Sequence, residues 1–262
     1  IDFWAVRFTG KFGIAAEWDD LKLGATISTP SFALEAASGG TDHASLTSNN
    51  VLVDSTTGNT IDILASDRQE GLPIKYKTPF SIAGGIEYKI SDETLVHFTA
   101  EWFAPLSTYV VIQPESDEFI KNNPATIRPV DSAELLKVYD SMKSVFNAGV
   151  AVEHKLNDKL TGYAAFRTDF SNANFDEIDG LYVGFTDLNI YHFTLGASTN
   201  LDDTFIGVGF EYSHGQRSDF TQLFNFPTGS VGSEDVAILS QRGTSEAIYN
   251  NFNLFFGVTQ LF

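Results

Sequence analysis

The residues able to do chemistry are few and scattered. Five histidines stand at positions 43, 97, 154, 192 and 214. Proton transfer needs a histidine held beside a nucleophile or carboxylate, yet the chain has neither a G-x-S-x-G elbow nor an H-E-x-x-H pair. Only His97 and His192 share a strand face with other ionisable groups, and neither has a serine or carboxylate at a diagnostic spacing. Cysteine is absent, which removes disulfides and thiolate metal sites. The acidic run "ESDE" at 115 to 118 reads as a solvated loop in preference to a calcium site. These observations predict no catalytic residue, no metal and no cofactor, so the chain is not expected to be an enzyme.

The other ionisable groups follow a pattern. Arg7, Lys11, Glu17, Lys22, Glu87, Lys89, His97, Glu101, Glu153, Lys155, Lys159, Arg167, Asp169, His192 and Glu211 occupy one parity of segments whose other parity is apolar. Successive side chains of a strand point to opposite faces, so this alternation predicts strands with one greasy and one charged face. The opening stretch "WAVRFTGKFGIAAEW" sets Trp4, Val6, Phe8, Phe12, Ile14 and Trp18 against Arg7, Lys11 and Glu17, and reads as one strand over 4 to 18. Eight more strands follow at 21–29, 79–90, 94–104, 145–156, 159–170, 190–199, 204–214 and 249–262. They pair as hairpins through tight turns at Asp19-Asp20, Ser91 to Glu93, Asn157-Asp158 and Asn200 to Asp203.

Two features separate this pattern from a soluble β-sandwich. The strands are long, while a transmembrane strand needs about 9 to 11 residues. Connections also alternate, tight turns at one end and long loops (30–78, 106–144, 171–189 and 215–247) at the other, as in outer-membrane barrels. Lipid cannot satisfy backbone polar groups, so a sheet in a membrane must close on itself. No run of 18 or more apolar residues is present, so crossing falls to strands. The expected fold is all-β, a transmembrane antiparallel up-and-down β-barrel with nine strands visible, in a single domain over 1–262. Within the loops, "DSTTGNT" (54 to 60) predicts a turn. Residues 131–144 ("DSAELLKVYDSMKS") predict a short helix capped by Asp131 and Glu134, with Leu135, Leu136, Tyr139 and Met142 on one face.

On this reading the charged parity lines the lumen. Arg7, Lys11, Glu87, His97, Glu101, Arg167, Asp169, His192 and Glu211 form the candidate substrate path, with Arg7, Lys11 and Arg167 placed to greet a carboxylate. Interleaved signs equally suit a pairing network, because a buried charge left alone costs several kcal/mol. Small inward residues such as Gly13, Gly24, Gly85 and Gly149 leave volume for a ligand or plug. Pro105 interrupts the upper fourth strand and removes a ladder donor, a candidate break in the wall. Trp4, Trp18, Tyr88, Trp102, Tyr191 and Tyr212 are the expected interfacial anchors.

Several stretches resemble the OMPP1/FadL/TodX family of outer-membrane transporters. The hairpin "KFGIAAEWDDLKLGATISTPSF" matches its pattern of Gly-apolar strand, acidic turn and "LGATY-S-P"-like strand, and "GGIEYKISDETLVHFTAEWF" and "LGASTNLDDTFIGVGFEYSHG" repeat the style. The acidic loops resemble the Bacteroidetes branch. The resemblance implies a barrel of fourteen strands with an N-terminal hatch, of which this chain carries the C-terminal portion. Parity points the same way, since an even-stranded barrel with periplasmic termini that ends on Phe262 needs an odd number of strands ahead of residue 1. A terminal Phe on an aromatic last strand also resembles the barrel-assembly signal of such proteins. The implied function is passive diffusion of hydrophobic or amphipathic small molecules, such as long-chain fatty acids, across the bacterial outer membrane. The alternative is a structural or partner-binding barrel in a larger outer-membrane surface or secretion assembly. Expected partners are outer-membrane lipid and lipopolysaccharide, a hydrophobic small-molecule ligand, and other surface proteins contacting the long acidic loops. A net charge of -18 argues against nucleic acid.

Overall fold

The computed structural model describes residues 1–53, 58–121, 129–175, 178, 181–182, 187–201, 204–221 and 244–260. In chain order the elements are β1 (Asp2–Phe8), β2 (Lys11–Glu17), β3 (Leu21–Ser28), β4 (Phe32–Val53), β5 (Thr60–Leu72), β6 (Ser81–Ser91), β7 (Thr94–Phe103) and β8 (Leu106–Ile112). There follow α1 (Ser132–Leu135), β9 (Val138–Met142), β10 (Val145–Lys155), β11 (Leu160–Asp169), β12 (Leu181–Tyr182), β13 (Ile190–Leu201), β14 (Thr204–Thr221) and β15 (Thr244–Gln260). The fold is all-β and dominated by antiparallel sheet.

Among the described residues, nine strands form one sheet in the order β15-β14-β13-β11-β10-β7-β6-β3-β2. Each neighbouring pair is antiparallel, and β2 and β15 are the two edges. They match the strands that the alternation predicts, the first only in its second half, and the expected turns at Asp19-Asp20, Ser91 to Glu93 and Asn157-Asp158 join three of the hairpins. The turns are locally encoded. Asn157 Oδ1 accepts from the N–H groups of Lys159 and Leu160, both at 3.0 Å, and Ser91 Oγ accepts from Glu93 N–H at 3.2 Å. Such Asx- and Ser-turns supply backbone partners where the ladder ends.

The sheet's two faces differ in kind. Phe98, Val150, Phe166 and Phe193 meet across neighbouring strands, and the same row continues through Tyr212 to Phe252. Large apolar side chains on this face stay exposed, Ile14 at 75% and Leu254 at 77%. On the opposite face the buried groups of the sheet are polar: Ser81, His192, Ser198 and Ser213.

The long connections build a cap with cores of its own. Sheet β1-β4-β5 and sheet β12-β9-β8 are tied by bridges Ala65↔Ile120 and Ile74↔Ile112. One cluster joins Ile63, Ala65, Phe119, Ile120 and Leu136. A second joins Leu72, Ile74, Val111, Ile112 and Val138, and Leu181 packs against both.

Three readings need correction or relocation. The opening stretch is two strands, not one: β2 pairs with β3 in the nine-stranded sheet, whereas β1 pairs with β4 in the cap. The chain changes sheet at Thr9-Gly10, where Gly10 O still accepts from Thr29 N–H at 2.9 Å but its own N–H donates to Thr29 Oγ1 at 3.0 Å. The helix expected over 131–144 is only the turn Ser132–Leu135. Asp131 caps it, its Oδ1 accepting from Ala133 N–H at 2.8 Å, but residues 138–142 form strand β9 against β8. One turn is below the length at which a helix sustains itself, and as a strand this segment buries Val138, Asp140 and Met142 on one side. The regions read as loops carry strands, and β14 and β15 extend into 215–247. Residues 54–57 of the expected turn, and Phe262, lie outside the described residues.

Candidate functional site

The inner, polar face of the nine-stranded sheet gathers most of the ionisable candidates. Strand register fixes which of them meet. Glu17, Lys22, Glu87 and His97 lie opposite one another along one row. Lys22 Nζ reaches Glu17 at 3.4 Å and Glu87 at 3.0 Å, and His97 Nδ1 lies 3.4 Å from Glu87. Ala151 and Ala165 continue the row, and it ends in a second polar group on β13 to β15.

That second group is tighter. Glu211 Oε2 lies 3.5 Å from Arg167 Nη2 and accepts from Thr194 Oγ1 at 3.3 Å, while Asn253 Nδ2 donates to its Oε1 at 3.4 Å. His192 Nδ1 is 3.2 Å from Arg167 Nη2 and 2.7 Å from Ser213 Oγ. A guanidinium only donates, so Nδ1 accepts and the ring proton is assigned to Nε2. That Nε2 is buried without a hydrogen-bond partner, with Asp169 Oδ2 at 3.9 Å. Ser213 is buried too. The cluster's chemistry is that of a paired wall network, with half of the Arg167 side chain open to the inner side.

Beside the first group, on the neighbouring rows toward the cap, and reaching the second at Arg167 lies a groove of about 630 Å³. Its lining includes Gly13, Gly24, Gly85 and Gly149, with Glu101 and Arg167 as the charged members. Two glycines play different parts. A Cβ at Gly149 would lie 3.1 Å from Thr99 Oγ1 and 3.3 Å from Arg167 Cβ, so a side chain there would make these neighbours shift by a few tenths of an ångström. A Cβ at Gly24 meets nothing within 4 Å, and a larger side chain there would occupy the groove.

The remaining candidates fall as follows. Lys11 begins β2 opposite Ser28 and is five strands from Arg167 in the sheet order. Arg7 is in the cap sheet, its guanidinium 4.5 Å from the Tyr76 ring centre and its Nη1 donating to Ser31 Oγ at 3.4 Å. The register makes none of these three cations a cross-strand neighbour of another. Pro105 sits between β7 and β8, where the chain leaves the sheet for the cap. Below it Phe103 still pairs with Ser81 and Val145, and Ala104 N–H donates to Phe80 O at 2.9 Å.

Trp18, Tyr88, Trp102 and Tyr191 are exposed on the apolar side. Trp102 Nε1 donates to Ser144 Oγ at 2.7 Å. Tyr212 stacks on Phe252 and donates to Asn250 Oδ1 at 2.8 Å. Trp4 is exposed on β1. Sequence reasoning missed Ser213, Thr194 and Asn253, which share the inner parity but carry no charge to mark them.

The cap holds one further polar network. Tyr109 Oη donates to Asp140 Oδ2 at 2.9 Å and accepts from Lys77 N–H at 3.1 Å. Burial pushes the Asp140 carboxyl above the ordinary carboxylate range, and the Tyr109 hydrogen bond opposes this in part. Among the described residues, no group of three or more His, Asp or Glu is placed to hold a metal.

No protein-family model matches the sequence. No curated protein matches it either. Among solved structures, the chain is similar to the Pseudomonas putida toluene transporter TodX, with a TM-score of 0.45 and 15% identity. The alignment covers 79% of this chain and 44% of that one, so the chain spans less than half the length of the structure it matches.

Proposed function

We propose that the nine-stranded sheet is the wall of an outer-membrane β-barrel that passes hydrophobic or amphipathic small molecules, such as long-chain fatty acids, by passive diffusion. One observation carries the membrane reading. Large apolar side chains cover one face and stay exposed from β2 to β15, while the buried groups of the sheet are polar and lie on the other face. Water would penalise the apolar face at about 25 cal/mol per Å², whereas hydrocarbon does not. The conduit reading rests on the groove, which small residues leave open and to which Arg167 offers a cation.

The edges add a constraint. Nine strands joined by antiparallel pairings leave β2 and β15 running in the same direction. An odd number of further strands is needed to close the sheet with antiparallel pairs throughout, and closure is what a bilayer requires.

Uptake of a labelled long-chain fatty acid by cells displaying the full-length protein tests the conduit. Gly24→Phe is expected to reduce uptake several-fold at unchanged surface level, and undiminished uptake would count against it. The partner-binding reading finds support in the cap, which has two buried cores instead of loose loops. It predicts uptake indifferent to Gly24→Phe and a partner co-purifying through the cap.

A further inference from the structure

Although β1 and β2 belong to different sheets, a single apolar face runs across the break between them. Trp4, Val6 and Phe8 on β1 are exposed, as are Phe12 and Ile14 on β2. Phe8 lies opposite Phe32 of β4, which is 67% exposed, and Leu34 is exposed just beyond it. The other side of β1 turns inward: Phe3 and Ala5 pack on the cap core and Arg7 covers Tyr76. Above Trp4 the character changes within a few residues. Asp2 pairs with Thr41, His43 pairs with Arg68, and Arg68 bonds to Glu70 at 2.7 Å. Trp4 marks the border, its indole over Gly39, where a Cβ would lie 3.5 Å from Nε1.

Strand geometry gives the reason. A lipid-facing band is about 25 Å tall on strands tilted by about 35–45°, so each strand must supply about 9–11 residues. β2 has only 7. The row of cross-strand neighbours that holds Phe252 on β15 reaches β2 at Ala16. From that row the exposed apolar residues run toward the tight-turn end on β15 (Leu254, Phe256, Val258) and toward the cap on β2 (Ile14, Phe12). A level band on tilted strands has this slant, and at the β2 edge it runs out of sheet before reaching full height.

We propose that the β1–β4 ribbon completes the band: acyl chains of the outer leaflet cover Val6, Phe8, Phe32 and Leu34, and the membrane boundary on this side passes through Trp4. The inference rests on the membrane reading of the nine-stranded sheet, and its test separates the two. These 262 residues hold no cysteine, so once any cysteine elsewhere in the full-length protein is replaced by serine, single nitroxide labels report cleanly in phospholipid vesicles. Labels go on Val6→Cys and Phe8→Cys, with Ile86→Cys in the wall and Glu70→Cys in the cap as references. The ratio of oxygen to nickel-chelate accessibility at positions 6 and 8 is expected to match position 86 and exceed position 70 several-fold. Positions 6 and 8 behaving like 70, while 86 remains lipid-exposed, would overturn this inference and leave the wall intact. Position 86 behaving like 70 would overturn both. Quenching of Trp4 by brominated lipid, in a background where Trp18, Trp102 and any tryptophan outside these residues are replaced by Phe, gives a second measurement that leaves β1 unmodified. Bromines near the headgroup should quench it more than bromines at the chain ends, and no quenching by either would also overturn the proposal.

Discussion

The nine-stranded sheet and the cap use the same residue types in opposite senses. In the cap, Ile74, Ile112 and Ile120 are at most 1% exposed, and each is surrounded by partners from segments distant in sequence. In the sheet, Ile82, Ile86 and Ile90 stand outward, and the fully buried side chain is Ser213. Every buried apolar residue among those described comes from the cap or its connections. One region thus buries its apolar side chains and the other exposes them, as the proposed membrane wall requires. The difference teaches that burial identifies the core of a protein only after its solvent is known.

Substitutions can break this contrast, and the largest effect should come from the cap. Ile112→Ala removes a fully buried side chain and is expected to cost the cap about 2–5 kcal/mol through lost burial and a cavity. Ile86→Ala on the outward face leaves no cavity and should cost well under half as much. Hydrogen exchange of β8 and β9 amides against those of β6 and β7 reads both. Equal losses would erase the distinction between the regions.

A charge on the outward face comes next. Val150→Arg at mid-strand should cost about 2–4 kcal/mol in a bilayer, measured as the unfolding midpoint in vesicles. A negligible change would mean that this face meets water. Smaller still is the contrast between two inner glycines. Gly149→Val must displace Thr99 or Arg167 and should destabilise the protein by about 1–3 kcal/mol, whereas Gly24→Val should leave the melting temperature nearly unchanged.

The smallest effect is a pH dependence confined to the cap. Burial raises the Asp140 carboxyl in the folded protein, so the folded state holds this proton more tightly than the unfolded chain does. Its contribution to stability is therefore fully present below the ordinary carboxylate value near about pH 4 and is lost as pH rises through the higher folded value. Asp140→Asn should flatten that slope in exchange of the β8 and β9 amides, after correction for intrinsic rates, with no change in the sheet.

The same contrast explains what the sequence could disclose. A strand with one apolar and one polar face states each residue's side by its parity, so β6, β7, β10 and β11 are legible from alternation alone. The cap obeys no such local rule. Tyr139 and Met142 have helical spacing from Leu135 and Leu136, yet the segment is a strand because β8 offers it an edge across 30 residues of chain. The break at Thr9-Gly10 escaped notice because the apolar parity runs straight through it while the hydrogen-bond partner changes. At the inner face, charge made Glu87, His97, Arg167 and Glu211 visible. Ser213, Asn253 and the separation of Arg7 from Arg167 depended on register, which no single strand encodes.

The central claim, that one face of the nine-stranded sheet meets lipid and the other does not, is tested most directly along β7. Single cysteines from Val96 to Trp102, in the full-length protein with any cysteine outside these residues replaced by serine and reconstituted in vesicles, can be titrated with a membrane-impermeant thiol reagent after permeabilisation. The account predicts a period of two: His97, Thr99 and Glu101 positions react, while Val96, Phe98, Ala100 and Trp102 positions are protected. Equal reactivity at the two sets of positions would contradict it.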